Sequence, residues 1–249
     1  MTSVVRYTQS GDVAHLTLNR PQKGNALASD IVDALDLALD QAIADGARLI
    51  VFRGEGRHFC TGFDLSQLEQ ETDADLAHRF LRIELLLQKI AIAPVMTVCW
   101  AQGRITGAGA DLFTTCDVRL CPPDAKFAFP GAGFGVVLGT RRLSLRVGAV
   151  LAGELVFSGH EMSAKRAEHS GLATDIVSAE GLDALIKSFE ERVMRVDVTT
   201  ARALFKQTRS REGMDEDLAE LARSVARPGL KTRILEHRAK VLAGRAAQL

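Results

Sequence analysis

The chain has 249 residues, 47% of them hydrophobic, 25% charged and only 5% aromatic. That is enough aliphatic surface for a sizeable core, and it excludes collagen-like, low-complexity and disordered chains. The 31 Lys and Arg residues match 31 Asp and Glu, so no net field recruits a nucleic-acid backbone or an anionic membrane.

At this length one large α/β domain with an appendage is expected. Val4 to Thr8 and Val13 to Leu18 read as two strands joined at Gly11-Asp12, a hairpin signal. From Ser29, read as an N-cap, Ile31, Leu35, Leu39 and Ile43 recur every four residues and predict a helix ending near Gly46. Leu49 to Phe52 follows as a buried strand. Gly54, Gly56 and Gly62 mark a loop, and residues 74–92 read as a long helix stopped by Pro94.

Val95 to Trp100 is the next buried strand. After it come a glycine-rich turn at Gly103 to Gly109, an apolar helix through Leu112 to about Thr115, and strands at Val118 to Leu120 and Lys126 to Phe129. This alternation favours a parallel or mixed sheet with helical crossovers. Beyond Met162 the chain reads as helix at 163–170, 179–195, 199–209, 215–224 and 230–242, with only Thr174 to Val177 strand-like.

No apolar run reaches the roughly 18 residues needed to span a bilayer, and the opening MTSVVRYTQSGD lacks the features of a secretion signal. A cytoplasmic location is expected. Cys60, Cys99, Cys116 and Cys121 lack CxxC spacing, which predicts reduced core thiols and no metal site.

Two segments are candidates for chemistry. In Gly103-Arg104-Ile105-Thr106-Gly107-Ala108-Gly109-Ala110-Asp111, small residues open a helix and expose backbone N–H groups to an anion or a developing oxyanion. Close packing explains the same glycines equally well. The spacing is not the dinucleotide GxGxxG, and the lysine of a nucleotide P-loop is absent. In His58-Phe59-Cys60-Thr61-Gly62-Phe63-Asp64-Leu65, Gly62 could free the next N–H, and Asp64 reads as the cap of a following helix.

Taken in order, these motifs resemble the crotonase, or enoyl-CoA hydratase/isomerase, superfamily. Leu18-Asn19-Arg20-Pro21 through Asn25-Ala26-Leu27 resembles the family's LNRP…NAL opening. Phe59 to Leu65 resembles its F-x-x-G-x-D-[LI] segment. Pro94-Val95 with Gly103 to Asp117 resembles the segment carrying its triple glycine, and Gly159, Ser163-Ala164, Ala167 and Gly171-Leu172 match a later helical motif.

The resemblance implies an α/β fold: a spiral of repeated ββα units over residues 1–190, then a helical oligomerisation region over 191–249 that builds trimers or dimers of trimers. It implies an acyl-CoA thioester as substrate, with CoA part of that substrate rather than a cofactor. The oxyanion donors would be the N–H groups of Phe63, after Gly62, and of Ala108, after Gly107. Lys23, Asn25, Ala26 and Leu27 would lie along the CoA moiety, Lys23 either meeting a phosphate or remaining a solvated lysine, and Gly62, Asp64, Leu65 and Gly107 would complete the substrate-binding set.

Family hydratases use two carboxylates. Here the first position is Asp111 and the second is Gly131, which cannot transfer a proton. The loop before Gly139-Thr140-Arg141-Arg142-Leu143 is also about three residues short. Standard two-carboxylate hydration is therefore not expected, and Asp111 is either the proton-transfer residue or a carboxylate favoured at its helix start. Arg104 and Glu84 are weaker candidates.

Three functions remain open at this point: an acyl-CoA lyase, isomerase or hydrolase; a catalytically degenerate acyl-CoA binding protein; and a structural subunit of an active homologue. The basic tail 235–242 reads as a solvated helix end within reach of a CoA phosphate.

Overall fold

A computed structural model describes residues 3–246. Residues 1–2 and 247–249, the outer ends of the two expected regions, lie outside the described residues. Strands β1 (Val5–Ser10) and β2 (Val13–Leu18) form the opening antiparallel hairpin. Helix α1 (Ser29–Ala44) buries Ile31, Leu35 and Leu39 at the expected spacing. Its N-cap is Ala28 and not Ser29, and no side chain caps it.

Strand β3 (Leu49–Gly54) runs parallel to β2. Helix α2 (Asp73–Ala91) starts one residue before the expected point because Thr72 and Asp75 form a reciprocal capping box. Next come β4 (Met96–Trp100), β5 (Arg104–Thr106), α3 (Ala108–Thr115), β6 (Val118–Cys121) and β7 (Lys126–Ala128). The expected glycine turn thus hides a short strand, because β5 pairs in parallel with β7. Its helix begins at Ala108, four residues before Leu112.

A 3-10 turn, Pro130–Phe134, leads to α4 (Thr140–Val147) and α5 (Ala149–Ser158), two helices that the sequence periodicity did not reveal. The remaining elements are β8 (Met162–Ser163), α6 (Ala164–His169), β9 (Asp175–Ile176), α7 (Ala179–Met194), α8 (Val198–Thr208), α9 (Met214–Ala226) and α10 (Leu230–Ala246).

The larger sheet runs β1-β2-β3-β4-β6-β9 and is parallel from β2 onward; a smaller one runs β5-β7-β8. Parallel bridges Leu27↔Phe63 and Cys60↔Ile105 continue the smaller sheet backward through the chain. Successive passes therefore each lay one strand in the large sheet and one extended stretch beside the small one, then return through a helix. This is the repeated ββα arrangement.

The near-continuous apolar run of β3 is explained by burial on both faces. Ile50 and Phe52 pack into the main core with Leu35, Leu87 and Phe113, while Leu49 and Val51 face Leu182 and Ile186 of α7. The helical C-terminal part folds back: Leu221, Val225, Leu230 and Ile234 pack with Leu76 and Phe80 of α2 and with Val136. All four cysteines are buried and unpaired, and burial pushes the Cys60 and Cys121 thiols up to about 12. All four are packing residues, and the raised thiols of Cys60 and Cys121 disfavour the nucleophilic thiolate. No described helix is long and apolar enough to cross a membrane.

Candidate active site

The two sequence segments meet at one cavity of about 480 Å3, lined by Gly62, Phe63, Gly107, Ala108 and Asp111 together with Gly131. That is a volume suited to a small organic ligand. The approach of the segments is dictated by glycine. Gly62 has φ +97°, and a Cβ there would lie 2.6 Å from the Thr106 carbonyl oxygen. Gly107, at φ 53° and ψ −128°, bends the chain from β5 into α3 while its N–H donates to the Ala128 carbonyl at 2.8 Å.

Ala108 is therefore the first residue of α3, with no carbonyl one turn back to receive its N–H. The N–H groups of Phe63 and Ala108 donate to no partner among the described residues.

The Asn25 to Leu27 segment fixes this geometry from behind. Asn25, at φ 54°, is fully buried; its amide donates to the carbonyls of Glu55 and His58 at 2.9 and 2.8 Å and accepts from the Arg20 N–H at 2.8 Å. The Leu27 N–H donates to the Gly62 carbonyl at 2.7 Å, and the Leu27 carbonyl accepts from the Asp64 N–H at 3.2 Å. Ala26 is buried between them, and none of the three lines the cavity.

Lys23 is exposed on the 3-10 turn Pro21–Lys23, also outside the lining, whereas Leu65 is part of it. Asp64 does not cap a helix, since none begins before Asp73. Its buried carboxylate pairs with Arg20 and accepts from the Ser66 N–H at 2.7 Å, which closes a local turn.

Asp111 is 5% exposed in the first turn of α3, and its carboxyl has no hydrogen-bond partner among the described residues. Gly139, the N-cap of α4, leaves room for it: a Cβ there would stand 2.1 Å from Asp111 Oδ1. Burial pushes the Asp111 pKa well above the usual carboxylate range; the Arg142 charge opposes this and the Glu84 charge adds to it. Burial thus favours the protonated form of this carboxyl.

Behind Asp111 lies a buried pair that sequence reading did not assemble. Arg142 of α4 grips Glu84 of α2 through two nitrogens, Nη1 to Oε1 at 2.8 Å and Nη2 to Oε2 at 2.5 Å. Burial opposes the Arg142 charge, but the hydrogen bonds and charge of Glu84, with Asp111 and Asp217, raise its pKa. Glu84 is thus a structural partner of Arg142. Arg104, half-exposed at the cavity rim, pairs with Glu161 at 3.2 Å.

The far wall is apolar and aromatic. Phe63 stacks on Phe80 with centroids 4.1 Å apart, and the Arg79 guanidinium lies 4.0 Å from the Phe63 ring centre. Ile234, His237, Arg238, Val241 and Leu242 of α10 also line the cavity; residues 235–242 are exposed apart from half-buried His237, so the tail is the expected solvated helix end, and one of its faces reaches the site. Tertiary packing on α2 decides this, and helical spacing of weakly apolar residues gave no signal for it.

The chain's relatives follow the same outline. Residues 8–223 match the sequence profile of the family described as Enoyl-CoA hydratase/isomerase. The chain belongs to this family, the crotonase superfamily. It is 36% identical over 176 residues to a Mycobacterium bovis protein designated probable enoyl-CoA hydratase echA6, a match covering 70% of each chain.

It is 30% identical over 179 residues to the mitochondrial Delta(3,5)-Delta(2,4)-dienoyl-CoA isomerase of Dictyostelium discoideum, covering 66% of this chain and 61% of that one. A crystal structure of a Bordetella parapertussis protein assigned to the enoyl-CoA hydratase/isomerase class superposes with a TM-score of 0.93. The two are 39% identical, and the match covers 96% of this chain and 99% of that one. Proteins designated hydratase and isomerase are thus both among its relatives.

Proposed function

We propose that the protein is an acyl-CoA-processing lyase or isomerase of the enoyl-CoA hydratase/isomerase family. In this reading the N–H groups of Phe63 and Ala108 hold the thioester oxygen as charge builds on it, and Asp111 transfers a proton. The observation that carries the reading is the meeting of two unpartnered N–H donors and one buried, unpaired carboxyl at a single apolar cavity. A preorganised donor in a water-poor site lowers such a barrier by about 3 kcal/mol.

Asp111, whose protonated form burial favours, serves as the acid toward the α-carbon of an enolate. CoA is part of the substrate. Its moiety runs past Lys23, which takes a phosphate, toward Leu65; the N–H groups of Asn25 to Leu27 and the carbonyls of Ala26 and Leu27 are spent within the protein, so that segment supports the site from behind. The protein works in the cytoplasm as a homotrimer or dimer of trimers, in keeping with Val150 and Phe157 of α5, each 90% exposed in the single chain.

Gly131 stands where family hydratases carry a second carboxylate, and this favours one competing reading, a binding protein that turns nothing over. Turnover of a panel of enoyl-, dienoyl- and 3-hydroxyacyl-CoA thioesters separates the two. An active wild type whose rate falls roughly 100- to 10,000-fold in Asp111→Ala supports the enzyme. Tight binding by calorimetry with no turnover across the panel supports the binder, and an active Asp111→Ala removes Asp111 from the mechanism.

A further inference from the structure

Five ionisable side chains line the cavity: Arg104, Asp111, Glu161, His237 and Arg238. The two arginines are hydrogen-bond donors with no acceptor atom to take up a proton. Glu161 is about half exposed and tied to Arg104 at the rim. Asp111 and His237 are left as groups able to give or take a proton.

The setting of His237 is built for an imidazole. Its ring packs against Phe134, centroids 5.4 Å apart at 58°. Gly133 gives it space: a Cβ at 133 would stand 2.5 Å from the ring Cε1 and 2.6 Å from Nδ1. The ring therefore rests on the 3-10 turn Pro130–Phe134, the turn that also carries Gly131. Neither ring nitrogen has a hydrogen-bond partner among the described residues, in contrast to His58, whose Nδ1 accepts from the Arg104 N–H at 3.1 Å.

Resting on the proposed acyl-CoA chemistry, we propose that His237 is the second proton-transfer residue of this site, its neutral imidazole accepting a proton as Asp111 donates one. For a double-bond shift, a ring nitrogen takes a proton from the substrate carbon beyond the double bond. The C–H electron pair moves into a dienolate whose oxygen is held by the two N–H donors, and the Asp111 carboxyl then delivers its proton to the other end. Substrate composition is unchanged, and imidazolium and carboxylate exchange the proton through solvent. For addition of water, the imidazole takes the water proton as oxygen bonds to the β-carbon, and Asp111 protonates the α-carbon.

Burial and then the Lys240 charge lower the His237 pKa while burial raises that of Asp111, directions that favour a free base and a loaded acid. Charged groups of α10 itself and of α2, which packs against it, are engaged elsewhere. Arg233 donates to the carbonyls of Phe134 and Gly135, Arg79 pairs with Glu71, and Asp73 accepts from the start of α10.

The test compares the full-length wild type with His237→Ala, His237→Gln and Gly133→Ala on the same thioester panel, with acyl-CoA affinity measured by calorimetry. Both His237 variants are expected to lose turnover by roughly 100-fold or more at unchanged affinity. Free imidazole should restore part of the rate to His237→Ala and none to His237→Gln, and Gly133→Ala should lower the rate by displacing the ring. Turnover of His237→Ala within about threefold of wild type overturns the proposal. So does a rate loss fully accounted for by weaker binding and indifferent to imidazole. A wild type with no turnover on the panel overturns the proposed function itself, and this reading with it.

Discussion

Asp111 combines two properties that both cost stability above the ordinary aspartate range. Its carboxyl is buried without a hydrogen bond, and its folded pKa is raised, so the unfolded chain releases this proton at a lower pH than the folded one does. The penalty is absent below the ordinary aspartate range near pH 4, grows as pH rises, and levels off above the folded pKa. Asp111→Asn is therefore expected to melt at a higher temperature than wild type at pH 8, with the gap shrinking toward pH 5. Melts at both pH values check this, and a constant gap would contradict the raised pKa.

Gly62 is the complementary case, a residue whose lack of a side chain sets the spacing of the two donors. With φ +97° and the Thr106 carbonyl in the way, Gly62→Ala should cost about 1–3 kcal/mol. In urea titration it should show that loss, and in kinetics a fall in kcat larger than any rise in KM.

At the scale of elements, α10 matters because it forms a wall of the cavity, and its start is held by one side chain. Asp73 of α2 accepts from the N–H groups of Gly229, Leu230 and Lys231 at 2.9, 3.1 and 2.8 Å. These bonds, the one from Lys231 first, hold the Asp73 carboxyl below the usual carboxylate range. Its contribution is thus fully present above the unfolded pKa and is lost as pH falls through the folded one.

Asp73→Ala should cost about 1 kcal/mol, as the loss of a helix cap does, with faster hydrogen exchange confined to the α10 amides and weaker acyl-CoA binding. Exchange in α10 equal to wild type would show that packing on α2 alone holds the helix. Neighbouring elements differed in how openly their sequences declared them. Thr72 and Asp75 leave a visible capping signal before α2, whereas α4 and α5 begin after glycines with no capping side chain.

At the scale of the molecule, the Glu84–Arg142 pair joins α2 to α4, and Gln88 extends the link by donating to Glu84 at 2.9 Å and to the Met214 carbonyl of α9 at 2.8 Å. Breaking a buried pair from one side strands the other charge, at a cost of about 3–5 kcal/mol. Glu84→Leu should show a loss of that size in urea unfolding, and the double variant Glu84→Leu/Arg142→Met should recover much of it. Equal losses in the single and double variants would mean that the pair is not a coupled unit.

The sequence by itself determined the family, the order of strands and crossovers up to β7 with the exception of β5, and the two segments that meet at the cavity, because periodicity and glycine placement are local properties of the chain. Phe63, Ala108 and Asp111 were legible because each sits beside a glycine or at a helix start whose backbone requirement is written in neighbouring residues. Asn25 to Leu27 was legible as a segment but not in its task, since a side chain spent on carbonyls 30 or more residues away has no local signature.

Tertiary structure alone decided that Glu84 grips Arg142, that Gly139 makes room for Asp111, and that α10 returns to bring His237 over Gly133. Each of these unites residues separated by 28 to 104 positions along the chain, and burial, charge pairing and shape act through space, where sequence distance carries no information.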